Sequence, residues 1–250
     1  MIAVGMLGAG GVRAEPVVRE ELRVRVMGVT ERWRLEWREP PELACFETEG
    51  VTCPCEGFAQ GEVGDLDLVR SRPGAEPERL PLTPLFEDPA TGVPRARALL
   101  RGWAVSPRDG GLPESQWAQA LQGRKRARAM VLGDYDHDGQ AHEFVLQTQA
   151  LTCGMREAVL IGLDQREGRL RALSTTEHPE RPLVMAPETW AKLRASTRVV
   201  SVETPCGDHG SRMETVMRVH ADGRGLHATR ERYECTEQDA RGERRSSEVL

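Results

Sequence analysis

The sequence predicts a mostly β protein, α+β at most, built of antiparallel sheets in β-meander connection with one or two short helices. Three observations predict it. Apolar and polar residues alternate over 22–37, a two-residue period that places Leu22, Val24 and Val26, then Trp33, Leu35 and Trp37, on one face of two strands. Glycine-bearing turns recur between short apolar runs: Gly168 between 158–163 and 170–173, and Asp222-Gly223 between Val219 and Leu226. Helical spacing shows in two short stretches only, 114–122 with Trp117, Ala120 and Leu121 on one side, and 187–193. No segment recurs at a fixed period, which excludes a propeller or solenoid.

In chain order, residues 2–12 are apolar or glycine, and Val12-Arg13-Ala14 presents small or aliphatic groups where a signal peptidase reads. Residues 1–14 are therefore expected to be a signal peptide, with Glu15-Pro16 opening the mature chain. The same stretch fails as a dinucleotide-binding turn: after Gly8-Ala9-Gly10 the third glycine of that fingerprint falls on Arg13, and a strand follows where a helix is required. An N-terminal β module is expected over 15–103. Pro40-Pro41 ends its first pair of strands, and the proline-rich stretch 71–94 reads as loops around Leu80-Pro81-Leu82. A connector over 104–129 holds a Pro/Gly loop and the 114–122 helix. A C-terminal β module then runs over 130–250, in which strands at 129–132 and 144–146 bracket an acidic loop, 158–163 pairs with 170–173, and the Asp222-Gly223 turn sets His220 opposite His227. Those two histidines read as surface residues, and the basic runs 123–128 and 241–245 as solvated faces.

Composition narrows the function. With 34 Lys+Arg against 39 Asp+Glu the net charge is −5, which speaks against a general nucleic-acid partner. Lys125 and Lys192 are the only lysines, and neither sits in the Gly-Lys-Ser/Thr context of a phosphate-cradling loop. No apolar run approaches the ~20 residues needed to span a bilayer. Cys45, Cys53, Cys55, Cys153, Cys206 and Cys235 are even in number, which in an exported chain predicts three disulfides. Cys53-Pro54-Cys55 is too tight to pair with itself, so Cys45 with Cys53 or Cys55, and Cys206 with Cys235 across a hairpin, are expected. The absence of any C-x-x-C disfavours a zinc cluster instead.

One stretch carries chemistry. Asp134-Tyr135-Asp136-His137-Asp138-Gly139 sets three carboxylates at alternate positions before a glycine, the way a tight loop turns oxygens onto a hard cation. Ca2+ takes six to eight oxygens at about 2.3–2.6 Å. The expected donors are the carboxylates of Asp134, Asp136 and Asp138, the backbone carbonyl of Gln140, and Glu143 or water, with Gly139 supplying the bend.

With Val131-Leu132-Gly133 before it and Glu143-Phe144-Val145-Leu146 after it, this loop resembles the calcium loop of the FG-GAP and VCBS repeat families, in which a strand, a D-x-D-x-D-G loop and a second strand form a hairpin. The resemblance covers about twenty residues and implies one calcium. It departs from the pattern at the closing acid: loop position nine is His142, Glu143 follows one residue later, and the EF-hand's position twelve is Val145. The motif occurs once, so the resemblance does not imply a propeller.

Enzyme readings are thinner. His142-Glu143 begins H-E-x-x-H, but the second histidine position is Leu146, and no G-x-S-x-G occurs. His178-Pro179-Glu180 with Pro205-Cys206-Gly207-Asp208-His209 resembles the zinc-deaminase pattern H-x-E then P-C-x-x-C with the last cysteine replaced by histidine. That resemblance implies zinc on His178, Cys206 and His209, with Glu180 moving protons, and it supplies the alternative of a zinc-dependent hydrolase. The Trp33-Leu35-Trp37 face is expected in the core; exposed, it would stack on sugar rings. The preferred expectation is a periplasmic or secreted calcium-binding β protein, more a binding or structural module than an enzyme, its partner an extracellular or envelope glycan or protein.

Overall fold

The computed structural model describes residues 15–45, 60–88, 91–101, 125–151, 155–164 and 167–250. The expected signal peptide, the 114–122 helix and Cys53, Cys55 and Cys153 lie outside the described residues. In chain order the strands are β1 (Val17–Val26), β2 (Val29–Trp37), β3 (Glu42–Cys45), β4 (Gln60–Gly64), β5 (Leu66–Ser71), β6 (Glu78–Pro81), β7 (Ala98–Arg101), β8 (Phe144–Ala150), β9 (Arg156–Leu163), β10 (Leu170–Ala172) and β11 (Val184–Met185). The helix α1 (Pro187–Ala195) follows, then β12 (Arg198–Thr204), β13 (Met213–Ala221), β14 (Leu226–Cys235) and β15 (Arg241–Val249). Among the described residues the fold is mostly β, as the sequence predicts, in four antiparallel sheets with one α-helix and short 3-10 turns.

Two sheets come from the first hundred residues, ordered β1-β2-β5-β6 and β3-β4-β7. The alternation in β2 buries Trp33, Leu35 and Trp37 completely, so this face is core and stacks on no sugar. In β5, Leu66 and Leu68 join the same core, while Asp67 on the opposite face is held by Arg38 and Arg79 at 2.6–2.9 Å. Buried polar contacts tie this sheet to residues 168–170. Arg70 grips Glu31 with two hydrogen bonds, at 2.6 and 2.9 Å, and donates to Gly168 O at 2.6 Å, while Glu78 accepts the amide of Leu170 at 2.8 Å.

The third sheet has β9 at its centre, paired with β8, β10 and β11, and the expected pairing of 158–163 with 170–173 is observed. Its run Ala158-Val159-Leu160-Ile161-Gly162-Leu163 is apolar without alternation because both faces are covered. Val159, Ile161 and Leu163 point into the cluster holding Trp33, Leu35 and Trp37; Ala158 and Leu160 point into a second cluster with Trp190, Leu193, Met217 and Val219. The expected modules 15–103 and 130–250 thus share one buried cluster through β8 and β9. On the far side, α1 opens on Pro187 at its first position, with Glu188 in its first turn and Lys192 and Arg194 in its last, the charge order the helix dipole favours. It buries Trp190 and Leu193, three residues apart, and the Trp190 indole donates to Ala158 O at 3.0 Å.

The fourth sheet is ordered β12-β13-β14-β15. The Asp222-Gly223 turn joins β13 to β14 as expected, with Ala221 opposite Leu226 and His220 opposite His227, whose rings stack at 6.0 Å. The basic run 241–245 belongs to β15, exposed along its length, with Arg241, Arg244 and Arg245 paired to Glu214, Glu231 and Glu234. Cys206 and Cys235 form the expected disulfide, with Cα atoms 5.6 Å apart. Cys45 lies at the end of β3, but its expected partners fall outside the described residues. Among the described residues no helix is long and apolar enough to cross a membrane.

Candidate metal centre

The acidic loop sits among β9, α1 and the β13–β14 turn. Its neck is one bridge: Gly133 N donates to Glu143 O at 2.8 Å and Glu143 N to Gly133 O at 3.2 Å. The strand expected over 129–132 does not form. Glu20 of β1 accepts the amides of Ala129 and Met130 at 2.7 and 3.2 Å, and Val131 N turns back to Ala129 O, so these groups are satisfied without a strand neighbour. The strand–loop–strand hairpin is therefore complete only on its β8 side. Within the loop, His137 and Gly139 take left-handed backbone, φ 60° and 87°, and Gly139 supplies the bend as expected.

The turns converge the carboxylates. One oxygen each from Asp134, Asp136 and Asp138 lies within 4.8 Å of the other two. Each aspartate also caps a backbone amide: Asp134 Oδ2 accepts from Gly139 at 3.1 Å, Asp136 Oδ1 from Asp138 at 3.2 Å, and Asp138 Oδ1 from Gln140 at 2.7 Å. Capping accounts for one oxygen per side chain. It leaves Asp134 Oδ1 buried with no hydrogen-bond partner among the described residues. Gln140 is drawn into the loop by its amide.

Glu143 lies in the neck of the loop. Its side chain is fully buried, and Oε2 accepts the amide of Tyr135 at 2.9 Å. It gathers with Asp138 and His142 rather than with Asp134 and Asp136, so the loop holds two donor groups that share Asp138. Burial pushes the Glu143 carboxyl up to about 7, helped by Asp136 and opposed by its contact with His142. Burial disfavours a charged His142, but Glu143, Asp138 and Asp136 outweigh it and the imidazole pKa is raised. His142 occupies loop position nine.

Two further elements clamp the loop. His137 Nε2 lies 2.8 Å from Leu193 O in α1, and the Arg194 guanidinium stands over the Tyr135 ring, 5.8 Å from its centre. From the β13–β14 turn, Gly223 N donates to Asp136 O at 2.9 Å, and a Cβ at Gly223 would sit 2.9 Å from His137 O, so only glycine lets this turn approach.

The deaminase-like set does not assemble a metal site. Cys206 is bonded to Cys235 and offers no thiolate, and among the described residues no metal-holding group contains His178, Glu180 or His209. His178 instead lies 3.3 Å from Glu180 at the surface. No protein-family model, no curated protein and no solved structure matches the chain.

Proposed function

We propose that the protein is an exported, disulfide-stabilised β module whose loop 134–143 binds one Ca2+, and that the ion serves a binding or structural role outside the cytoplasm. The observation that carries this reading is the convergence of Asp134, Asp136 and Asp138 with a buried oxygen of Asp134 left unpartnered among the described residues. Three carboxylates gathered this closely repel one another unless a cation stands between them. The Cys206–Cys235 disulfide supports an oxidising compartment, where such bonds persist.

The ion's action follows from what the loop touches. Calcium held by the three aspartates fixes the backbone that receives α1 through His137 and the β13–β14 turn through Asp136. It would tie the third sheet, the helix and the fourth sheet together at one point. The partner, glycan or protein, is then met by a surface whose loops are held rigid.

Calcium added to chelator-treated protein tests the reading. Binding to the folded state alone raises stability by about 2.7 kcal/mol at a calcium concentration of 100 Kd. For a chain of this size that moves the melting temperature by roughly 5–10 °C. Asp134→Asn, which keeps an oxygen to cap Gly139, should abolish the shift. A melting temperature indifferent to several millimolar calcium, or a full shift in the variant, refutes the site.

A further inference from the structure

We infer that the loop carries a second metal site, for a borderline divalent ion of the zinc type, formed by Asp138, His142 and Glu143. The site goes beyond the calcium reading and does not depend on it. His142 carries it. The side chain is 4% exposed; Nδ1 has no hydrogen-bond partner among the described residues, and Nε2 faces the carboxylates of Glu143 and Asp138 as ion-pair contacts without an aligned hydrogen bond. A buried imidazole that makes no hydrogen bond is costly, and its lone pair is the ligand that zinc-type ions take and calcium does not.

The donors are spaced for such an ion. His142 Nε2 lies 3.0 Å from Glu143 Oε1 and 3.6 Å from Asp138 Oδ2. Ligands about 2.0–2.1 Å from a tetrahedral zinc stand about 3.3 Å from one another. Glu143 Oε1 is buried and has no hydrogen-bond partner among the described residues despite its nearness to the ring. The other oxygen of Glu143 is fixed by Tyr135 N, and the other oxygen of Asp138 by Gln140 N, which orients both carboxylates. The Glu143 chain is further confined by Gly162 of β9, where a Cβ would sit 2.7 Å from its Cγ. One nitrogen and two carboxylate oxygens leave a fourth position for water. Because His142 and Glu143 are buried, the site closes on its ion rather than opening to a substrate.

The test is Zn2+ titration of the chelator-treated, oxidised full chain by calorimetry, with Co2+ as a spectroscopic stand-in. Expected is one Zn2+ per chain, weakened about 100-fold or more in His142→Gln, since even outer-shell losses cost 10–100-fold. Asp134→Asn should keep the zinc and lose the calcium. Cobalt should absorb without the intense thiolate band that cysteine ligation gives. Circular dichroism confirms that His142→Gln is folded. Unchanged zinc affinity in His142→Gln, no zinc binding by the parent chain, a thiolate band, or loss of both metals in Asp134→Asn each overturns the site. Zinc bound as described with no calcium response overturns the calcium reading alone.

Discussion

Replacing both cysteines of the Cys206–Cys235 bridge by alanine tests how the fourth sheet is held. The bridge closes a segment with a sequence separation of 29 residues. In the chain-entropy account, opening a loop of about 30 residues returns roughly 12 cal/mol/K to the unfolded chain, or about 3.6 kcal/mol at 25 °C. Cys235 is buried, so its truncation adds a small cavity cost on top. The native backbone should change little, because Cys235 N remains bonded to Arg212 O and β13 and β14 stay in register over nine pairs from Met213 and Glu234 to Ala221 and Leu226. Urea unfolding followed by tryptophan fluorescence measures the loss; with an m-value of about 2 kcal/mol/M the midpoint falls by nearly 2 M. Because the effect acts on the unfolded state, the m-value should rise as the freed loop exposes more surface. A double variant is cleaner than reductant, which also reaches the other four cysteines. A midpoint shift worth under about 1 kcal/mol refutes the entropic reasoning. So does a large shift at constant m, which would place the loss in the native state.

Two other perturbations test the packing and the charges. Leu160→Ala and Ile161→Ala cut opposite faces of β9, and each should cost about 2–5 kcal/mol and move one shared unfolding transition; two transitions of which each variant moves only one would show that the two clusters unfold independently. Glu231 is held down to about 2 by Arg218, with Tyr233 and Arg244 adding to it. A carboxyl depressed from the ordinary 4.5 stabilises the fold above that pH and loses its contribution as pH falls towards 2. With Arg218 and Arg244 partly exposed, screening reduces this to about 1 kcal/mol. Glu231→Gln should therefore cost about that much at pH 7 and nothing near pH 2, as read from acid-titrated urea melts; equal cost at both ends contradicts the assignment.

Sequence pattern exposed the parts of the fold in which one face is wet and the other dry. The β1–β2 pair, the β13–β14 hairpin and α1 were all legible for that reason, since alternation or helical spacing marks a single buried face. β4, β5 and β12 went unread. β5 is buried on both sides, with Asp67 and Arg70 turned inward into ion pairs, so its polar letters suggested a surface that does not exist. β15 failed in the opposite sense: Arg241–Val249 is wet throughout and is held by ladder bonds to β14 and by arginine–glutamate pairs, neither of which has a periodic signature. The strand expected at 129–132 was a false positive, because a carboxylate 109 residues away, Glu20, captures its amides.

The loop shows the same divide at the scale of single side chains. Its aspartates were legible because a turn that gathers oxygens needs them at alternate positions, and local spacing reports local geometry. The surroundings of His142 and Glu143 have no such local signature, because they are set by burial, which β9 and the Gly133 bridge impose from elsewhere in the chain. Glu143, the tenth residue of the loop, lies outside the aspartate cluster in the buried neck, and the residue before it is an imidazole. The loop therefore holds two adjoining donor groups that share Asp138, one of oxygens alone and one with nitrogen. Asp138→Asn should therefore weaken both metals, whereas Asp134→Asn and His142→Gln each weaken one, a pattern that a single composite site cannot produce.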